Sequence, residues 1–444
     1  MKKKNTKALI VMSATAMLTL ASVMTSMAAT GGWVRDSNSW RYYNSNGDYV
    51  TDDWRKSGAE DYYLGDDGYL AKSTLIEDGS NYYATDSAGR MVKNAWREFC
   101  EDGENNWYYF QGTGKAKLDG FLTIGGDKYH FTDGKMDTGW FTEDGNTYFL
   151  NDEEGSDYGK MTKGWLYITD FDDDADVTAD EEGWYYFGTN GKMVTDQEKK
   201  INGNHYAFDS DGLMLDNWVE YSTSGSVVAT SSNATASDSN AIYKYYKEGS
   251  GQRVDGWRYL DDMTYDDDGR DTEAGWYYFK DGIPYSAKYK TTGIADDYGV
   301  AKIDGKIYCF DKTGKMTTGK VTAYDGSYFY FEEKNDEGIM KSGKVKIKNS
   351  DDLEDGTYYF TKNGSLGVKG ASVTGVVDGY LYDNGELVEA DDGMKYQVVT
   401  VDGKEYLVNE SGKVKTSGTV TDADDVKWKV VKNADGTYEI TRVN

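Results

Sequence analysis

The chain has 444 residues and a formal net charge of −28, from 77 acidic and 49 basic side chains. Such a surface repels nucleic acid and anionic lipid and leaves cations and neutral glycans as partners. Aromatic residues make up 15% of the chain, with 39 Tyr and 12 Trp, so the apolar mass that excludes disorder sits in rings.

Residues 1–29 read as a secretory signal. Lys2, Lys3, Lys4 and Lys7 precede an apolar run from Ala8 to about Val23, and Ser26, Met27 and Ala28 form a small-x-small cleavage site. The run is shorter than the roughly 20 residues a spanning helix needs, and no other apolar run is long enough. The mature chain is then exported, more acidic still, and without a membrane span. Cys100 and Cys309 lie in distant parts of the chain and read as free or structural thiols.

From residue 30 onward the chain repeats. Gly47, Gly68 and Gly89 are evenly spaced, each after an aromatic triplet: residues 40–43 (WRYY), 61–64 (DYYL) and 81–84 (NYYA). The phrase returns at 107–110 (WYYF), 128–131 (KYHF), 184–187 (WYYF), 205–208 (HYAF), 276–279 (WYYF), 307–310 (IYCF), 328–331 (YFYF) and 357–360 (TYYF). A Gly-Trp pair opens many units: Trp33, Trp140, Trp165 and Trp257 each follow a glycine. Unit length varies between the Gly-Trp and the triplet or just after it, as loop insertions do. The triplet has strong β propensity, and the polar-Gly segments after it, such as 44–47 (NSNG) and 311–314 (DKTG), have turn chemistry. Each unit is therefore expected to be a β-hairpin made of the triplet, that turn and a short Gly-x-Met return strand. A lone hairpin is marginal, so stacked neighbours must share one thin aromatic core. The expected fold is all-β, a repetitive β-hairpin solenoid. One array spans 30–221 and a second 241–369. Residues 222–240, rich in Ser, Thr, Ala and Asn, are a linker or an inserted loop; Trp218 and residues 243–246 (YKYY) on either side look like two halves of one unit, which favours the loop. Residues 370–444 lose the pattern, turn Val-rich and read as divergent repeats or a cap.

Gly-Trp, then Trp-Tyr-Tyr-Phe, then Gly-Lys-Met resembles the choline-binding (cell-wall-binding) repeat and the related glucan-binding repeat of exported Gram-positive proteins. The resemblance is strongest over residues 31–215 and 255–342. It implies the hairpin solenoid, and it implies ligand boxes between adjacent hairpins. Each box takes the Gly-Trp tryptophan, the tryptophan opening the triplet and a tyrosine of the next triplet. A quaternary ammonium donates no hydrogen bond, so ring faces hold it by cation–π attraction. Carried over residue by residue, the full sets are Trp33, Trp40 and Tyr62; Trp96, Trp107 and Tyr129; Trp165, Trp184 and Tyr206; Trp257, Trp276 and Tyr308. Asp61, Asn81, Thr147 and Ile307 replace the second tryptophan elsewhere. The competing reading is that a repeated aromatic in a thin solenoid is simply core, and that the repeated Met is filler.

Asp170, Asp172, Asp174, Asp176 and Glu181 follow the spacing of an EF-hand calcium loop, but Ala175 takes its glycine position and no helical pattern flanks it, which favours a solvated acidic insertion. His130 and His205 lie in triplet phrases with no nucleophile motif beside them. No cofactor is expected. The function read from the chain is non-enzymatic: a secreted protein held non-covalently on a cell-wall polymer, either choline-bearing teichoic acid or a neutral glucan. Two alternatives stand beside it, a glucan-binding or host-surface adhesin and a cell-wall hydrolase with its chemistry in 370–444.

Overall fold

The computed structural model describes residues 8–10, 31–169, 182–222, 225–230, 242–262, 272–361 and 369–443. Most of the expected leader, the calcium candidate 170–181 and most of the tract 222–240 lie outside the described residues. The chain divides into two compact units: Met1–Thr195 with Asp211–Leu213, and Asp196–Ser210 with Met214–Asn444. Both are all-β. Their strands form small antiparallel sheets of two to five strands.

The recurring element is a hairpin whose arms are the Gly-Trp segment and the triplet. In the first unit, Ala95–Glu101 pairs with Glu104–Phe110, Gly139–Glu143 with Asn146–Leu150, and Gly164–Ile168 with Gly183–Phe187. In the second, Gly256–Leu260 pairs with Gly275–Lys280 and Gly343–Ile347 with Gly356–Phe360. At several two-residue connections both residues take positive φ: 52° and 95° at Asp102 and Gly103, 51° and 70° at Asp144 and Gly145. That pair of angles makes the type I′ turn, whose twist matches the strands it joins.

This corrects the expected hairpin. The Gly-x-Met segment is a minor third arm: it forms two-residue ladders where Phe131 pairs with Met136, Phe208 with Met214 and Phe310 with Met316, and elsewhere meets the triplet through isolated bridges such as Leu150 to Met161 and Phe187 to Met193. The reason is length: the next strand begins before a longer ladder can form. The segment serves as a stitch instead. The Met161 N–H donates to the Lys128 carbonyl of the preceding hairpin at 2.8 Å, the Met193 N–H to that of Thr147 at 2.8 Å, and in the second unit the Met340 N–H to that of Ile307 at 2.8 Å. The methionine side chain reaches the other way. A Cβ built on Gly191, the turn glycine of the following hairpin, would lie 2.2 Å from Met161 Sδ; the same is true of Gly114 under Met91 (2.2 Å), and in the second unit of Gly338 under Met316 (2.4 Å). These glycines have positive φ and no room for a side chain, so one methionine ties three successive hairpins.

Period-two alternation places the core. The second and fourth residues of the triplet phrase share the buried face: Tyr108, Phe110, Tyr185 and Phe187 are fully buried in the first unit, as are Tyr277, Phe279, Tyr358 and Phe360 in the second. Each pair packs with neighbouring hairpins into its own cluster. In the second unit, Asn217–Tyr221 pairs with Ile242–Tyr246 across the Ser/Thr tract, with Trp218 opposite Tyr245, and Val227–Thr230 adds to the other edge of Asn217–Tyr221. Beyond residue 370 the hairpins persist on an aliphatic core of Leu381, Val401, Val408 and Val414. Both cysteines are free thiols.

Candidate functional site

The same alternation sends the first and third triplet residues to the opposite face, together with the Gly-Trp tryptophan. In the hairpin of Ala95–Glu101, Trp96 is paired with Tyr109 and Glu98 with Trp107, so all four share one face. The Trp96 ring lies 5.1 Å from Tyr109, 6.4 Å from Trp107 at 77°, and 5.0 Å from Tyr129 of the next hairpin. Trp165 lies 5.0 Å from Tyr186 and 6.2 Å from Trp184 at 88°. Two perpendicular rings sharing one cation, each about 4.5 Å from it along its normal, have centroids about 6.4 Å apart, inside the range of cation–π attraction. The two Trp–Trp pairs have that spacing.

The other expected sets are built similarly. Trp33 meets Tyr62 at 5.5 Å, while Trp40 sits farther along the same face, paired with Arg35. Trp257 meets Tyr308 at 4.7 Å, and Trp276 packs on Tyr259 at 5.6 Å. Tyr206 belongs to the second compact unit, whereas Trp165 and Trp184 belong to the first. None of these tryptophans is fully buried, and Trp184 and Trp276 are 40% and 37% exposed. The core reading thus holds for the first tyrosine and the phenylalanine of a phrase such as 107–110, and not for its tryptophan. Trp218, by contrast, is wholly buried and its indole N–H donates to Thr272 Oγ1 at 2.6 Å.

Sequence reasoning missed several ring positions. Tyr42, Tyr109, Tyr186 and Tyr278, each third in its triplet, lie 5.0–5.4 Å from the tryptophan across the strand. Tyr167 and Tyr259 face the second tryptophan of their hairpins and are 44% and 47% exposed. Trp54 forms a further cluster with Tyr63 at 5.1 Å and Tyr83 at 5.5 Å although Asp61 replaces its second tryptophan. The signal for the third tyrosine was the register itself: Gly-Trp opposes Tyr-Phe whenever the turn is centred between them.

Burial pushes the phenols of Tyr62, Tyr129, Tyr278 and Tyr308 up, so these rings are neutral at ordinary pH. Lys160 beside Tyr129 is bridged by Asp127 and Asp157, each at 2.8 Å, which leaves that neighbourhood negative. Both histidines turn a ring nitrogen to a carboxylate: His130 Nδ1 lies 2.5 Å from Asp137, and His205 Nδ1 lies 2.9 Å from Glu198. Glu198 also accepts from Lys244 at 2.8 Å, Arg253 at 2.9 Å and the Tyr246 hydroxyl at 2.7 Å. Burial alone raises its pKa, but the bonds from Lys244 and Tyr246 and the charges of Lys244 and Arg253 outweigh that and hold the carboxyl below its usual range. Among the described residues, no group of three or more His, Cys, Asp or Glu is placed to hold a metal, and no helix is long and apolar enough to cross a membrane.

A family model described as a choline-binding repeat matches residues 298–344, and one described as a cell wall binding repeat matches residues 99–116, 138–155 and 177–193. The chain is similar to glucosyltransferase-S of Streptococcus mutans, 30% identical over 231 residues, covering 51% of this chain and 13% of that protein. It is also similar to glucosyltransferase-I of Streptococcus downei, 26% identical over 423 residues, covering 84% of this chain and 25% of that protein. The chain therefore spans a quarter or less of the length of these relatives. Among solved structures it is similar to the modular autolysin LytC of Streptococcus pneumoniae, with a TM-score of 0.37 and 20% identity, covering 64% of this chain and 52% of that one.

Proposed function

We propose that the chain, parts of which match choline-binding and cell-wall-binding repeats, is an exported, non-enzymatic protein that holds on to a cell-wall polymer through the aromatic faces of its hairpins. One observation carries the reading: Trp96 and Trp107 meet nearly at right angles at 6.4 Å, on a half-exposed face, with a neutral tyrosine of the next hairpin alongside. That corner suits a trimethylammonium group, which needs ring faces and no hydrogen-bond partner. Each face is weak alone, and several acting together on one polymer give retention by avidity. The acidic surface is repelled by phosphate polymers, so attachment runs through a cationic substituent or a neutral sugar.

A second ligand, a neutral glucan, is favoured by the exposed pairs Tyr167–Trp184 and Tyr259–Trp276 and by relatives that are named glucosyltransferases. Flat exposed rings offer a sugar a stacking surface. Retention of the full chain on choline-resin and on insoluble glucan, with elution by the free ligand, tests both. Failure to bind either resin refutes the proposal. Hydrolysis of peptidoglycan by the same preparation refutes its non-enzymatic part.

A further inference from the structure

The faces share their tryptophans but differ at one position. Strand register pairs the second tryptophan of each hairpin with a residue on the same face: Arg35 with Trp40, Glu98 with Trp107, Tyr167 with Trp184 and Tyr259 with Trp276. All four of these partners are exposed. Directly paired side chains start about 4.5–5.5 Å apart, close enough to touch a ligand lying on the ring.

We propose that this facing residue decides which ligand each aromatic face accepts. The inference rests on the aromatic faces being binding sites, as argued above. Glu98 makes the Trp96, Trp107 and Tyr129 face a site for a quaternary ammonium. Its carboxylate is on the side chain paired with Trp107, on the ring face where a cation would rest, and the Lys160 ammonium beside Tyr129 is already neutralised by Asp127 and Asp157. Arg35 closes the Trp33 and Trp40 face to cations by like-charge repulsion. Tyr167 and Tyr259 add no charge and complete four-ring surfaces with Trp165, Trp184 and Tyr186, and with Trp257, Trp276 and Tyr278. Such surfaces are apolar with hydroxyl rims, the chemistry that stacks a neutral saccharide. One chain thereby carries separate sites for a cationic substituent and for a sugar backbone.

The test is isothermal titration of the full chain with choline chloride and with isomaltotriose, at low and high salt. Glu98→Gln is expected to weaken choline binding about three- to tenfold at its site, the Coulomb contribution of a rim charge near the cation. It should also abolish the salt dependence of that site and leave isomaltotriose binding unchanged. Arg35→Glu should add one choline site to the stoichiometry. The pair Tyr167→Ala with Tyr259→Ala should lose isomaltotriose binding and keep choline binding. These positions are exposed, and the thermal unfolding profile should remain that of the parent. The inference is overturned if Glu98→Gln leaves choline affinity and its salt dependence unchanged, if it weakens both ligands alike, or if Arg35→Glu adds no site. A parent chain that binds neither ligand overturns the binding reading itself, and this inference with it. Choline binding that ignores Glu98 overturns the inference alone.

Discussion

Substituting Gly191 by alanine probes the joint between hairpins. Gly191 has φ of 82°, and its added Cβ would lie 2.2 Å from Met161 Sδ and 2.6 Å from Cε. Two costs follow. Left-handed backbone costs a non-glycine residue about 1–2 kcal/mol. Overlap with a methionine that is only 7% exposed adds the cost of forcing it aside, about 1–3 kcal/mol. Gly145→Ala is the control, because its φ is 70° and a Cβ there meets nothing within 4 Å. Gly145→Ala should therefore cost about 1–2 kcal/mol and Gly191→Ala about 2–5 kcal/mol. The double change Gly191→Ala with Met161→Ala should cost less than the sum of the single changes, since the truncated side chain vacates the site. Unfolding of a repeat array is not one two-state event, so the measurement is native-state hydrogen exchange at amides of Asn146–Leu150 and Gly183–Phe187. Equal loss of protection in Gly191→Ala and Gly145→Ala would refute the packing argument, leaving only backbone strain.

Three further outcomes are expected. Phe187→Ala removes a fully buried ring and should cost about 3–5 kcal/mol of local stability, whereas Trp184→Ala, at a side chain 40% exposed, should cost under about 1 kcal/mol; chemical unfolding followed by exchange separates them. Trp107→Ala should lower retention on choline-resin by about 1–2 kcal/mol per site with β circular dichroism intact, and concurrent loss of that signal would mark the ring as structural. Glu198 ionises below its ordinary value of 4.5 in the fold. Its contribution to the second unit is therefore complete above that pH and lost as pH falls through the lower folded value. Acid unfolding monitored by exchange in Gln197–Ile201 and Asn204–Phe208 should shift in Glu198→Gln, and an unshifted profile would show that the network with Lys244, Arg253 and Tyr246 contributes nothing.

The all-β hairpin class was legible because the phrase recurs: a triplet such as 184–187 (WYYF) followed by a polar-Gly segment has few other ways to bury its rings. The pairing inside each unit was not. The polar-Gly turn after the triplet is real, yet its return segment is too short for more than a two-residue ladder, and the stronger pairing lies on the other side, across Asp102 and Gly103 or Asp144 and Gly145. The tryptophans that share the exposed ring face, such as Trp96 with Trp107 and Trp165 with Trp184, were legible from the repeated phrase. Tyr109, Tyr186 and Tyr278 were not, because only the register shows that the third tyrosine opposes the Gly-Trp tryptophan. Trp218 marks the limit of the motif: it occupies the same phrase position as Trp96, yet a residue 54 positions away, Thr272, takes its indole N–H and it is sealed in the core.

Several joints among the described residues are made from the same two parts, a methionine or leucine contributed by one hairpin and a bare turn glycine contributed by the next: Leu70 over Gly89, Met91 over Gly114, Met161 over Gly191. Neither part reads anything else about its partner's identity. Recombination between two such joints, in register with the repeat, therefore yields a chain in which the new joint is still complete, while an out-of-register event leaves one glycine uncovered and one methionine exposed. Selection can then alter the number of hairpins, and with it the number of aromatic faces, without redesigning those joints. On the proposed function, length becomes the variable through which grip is tuned.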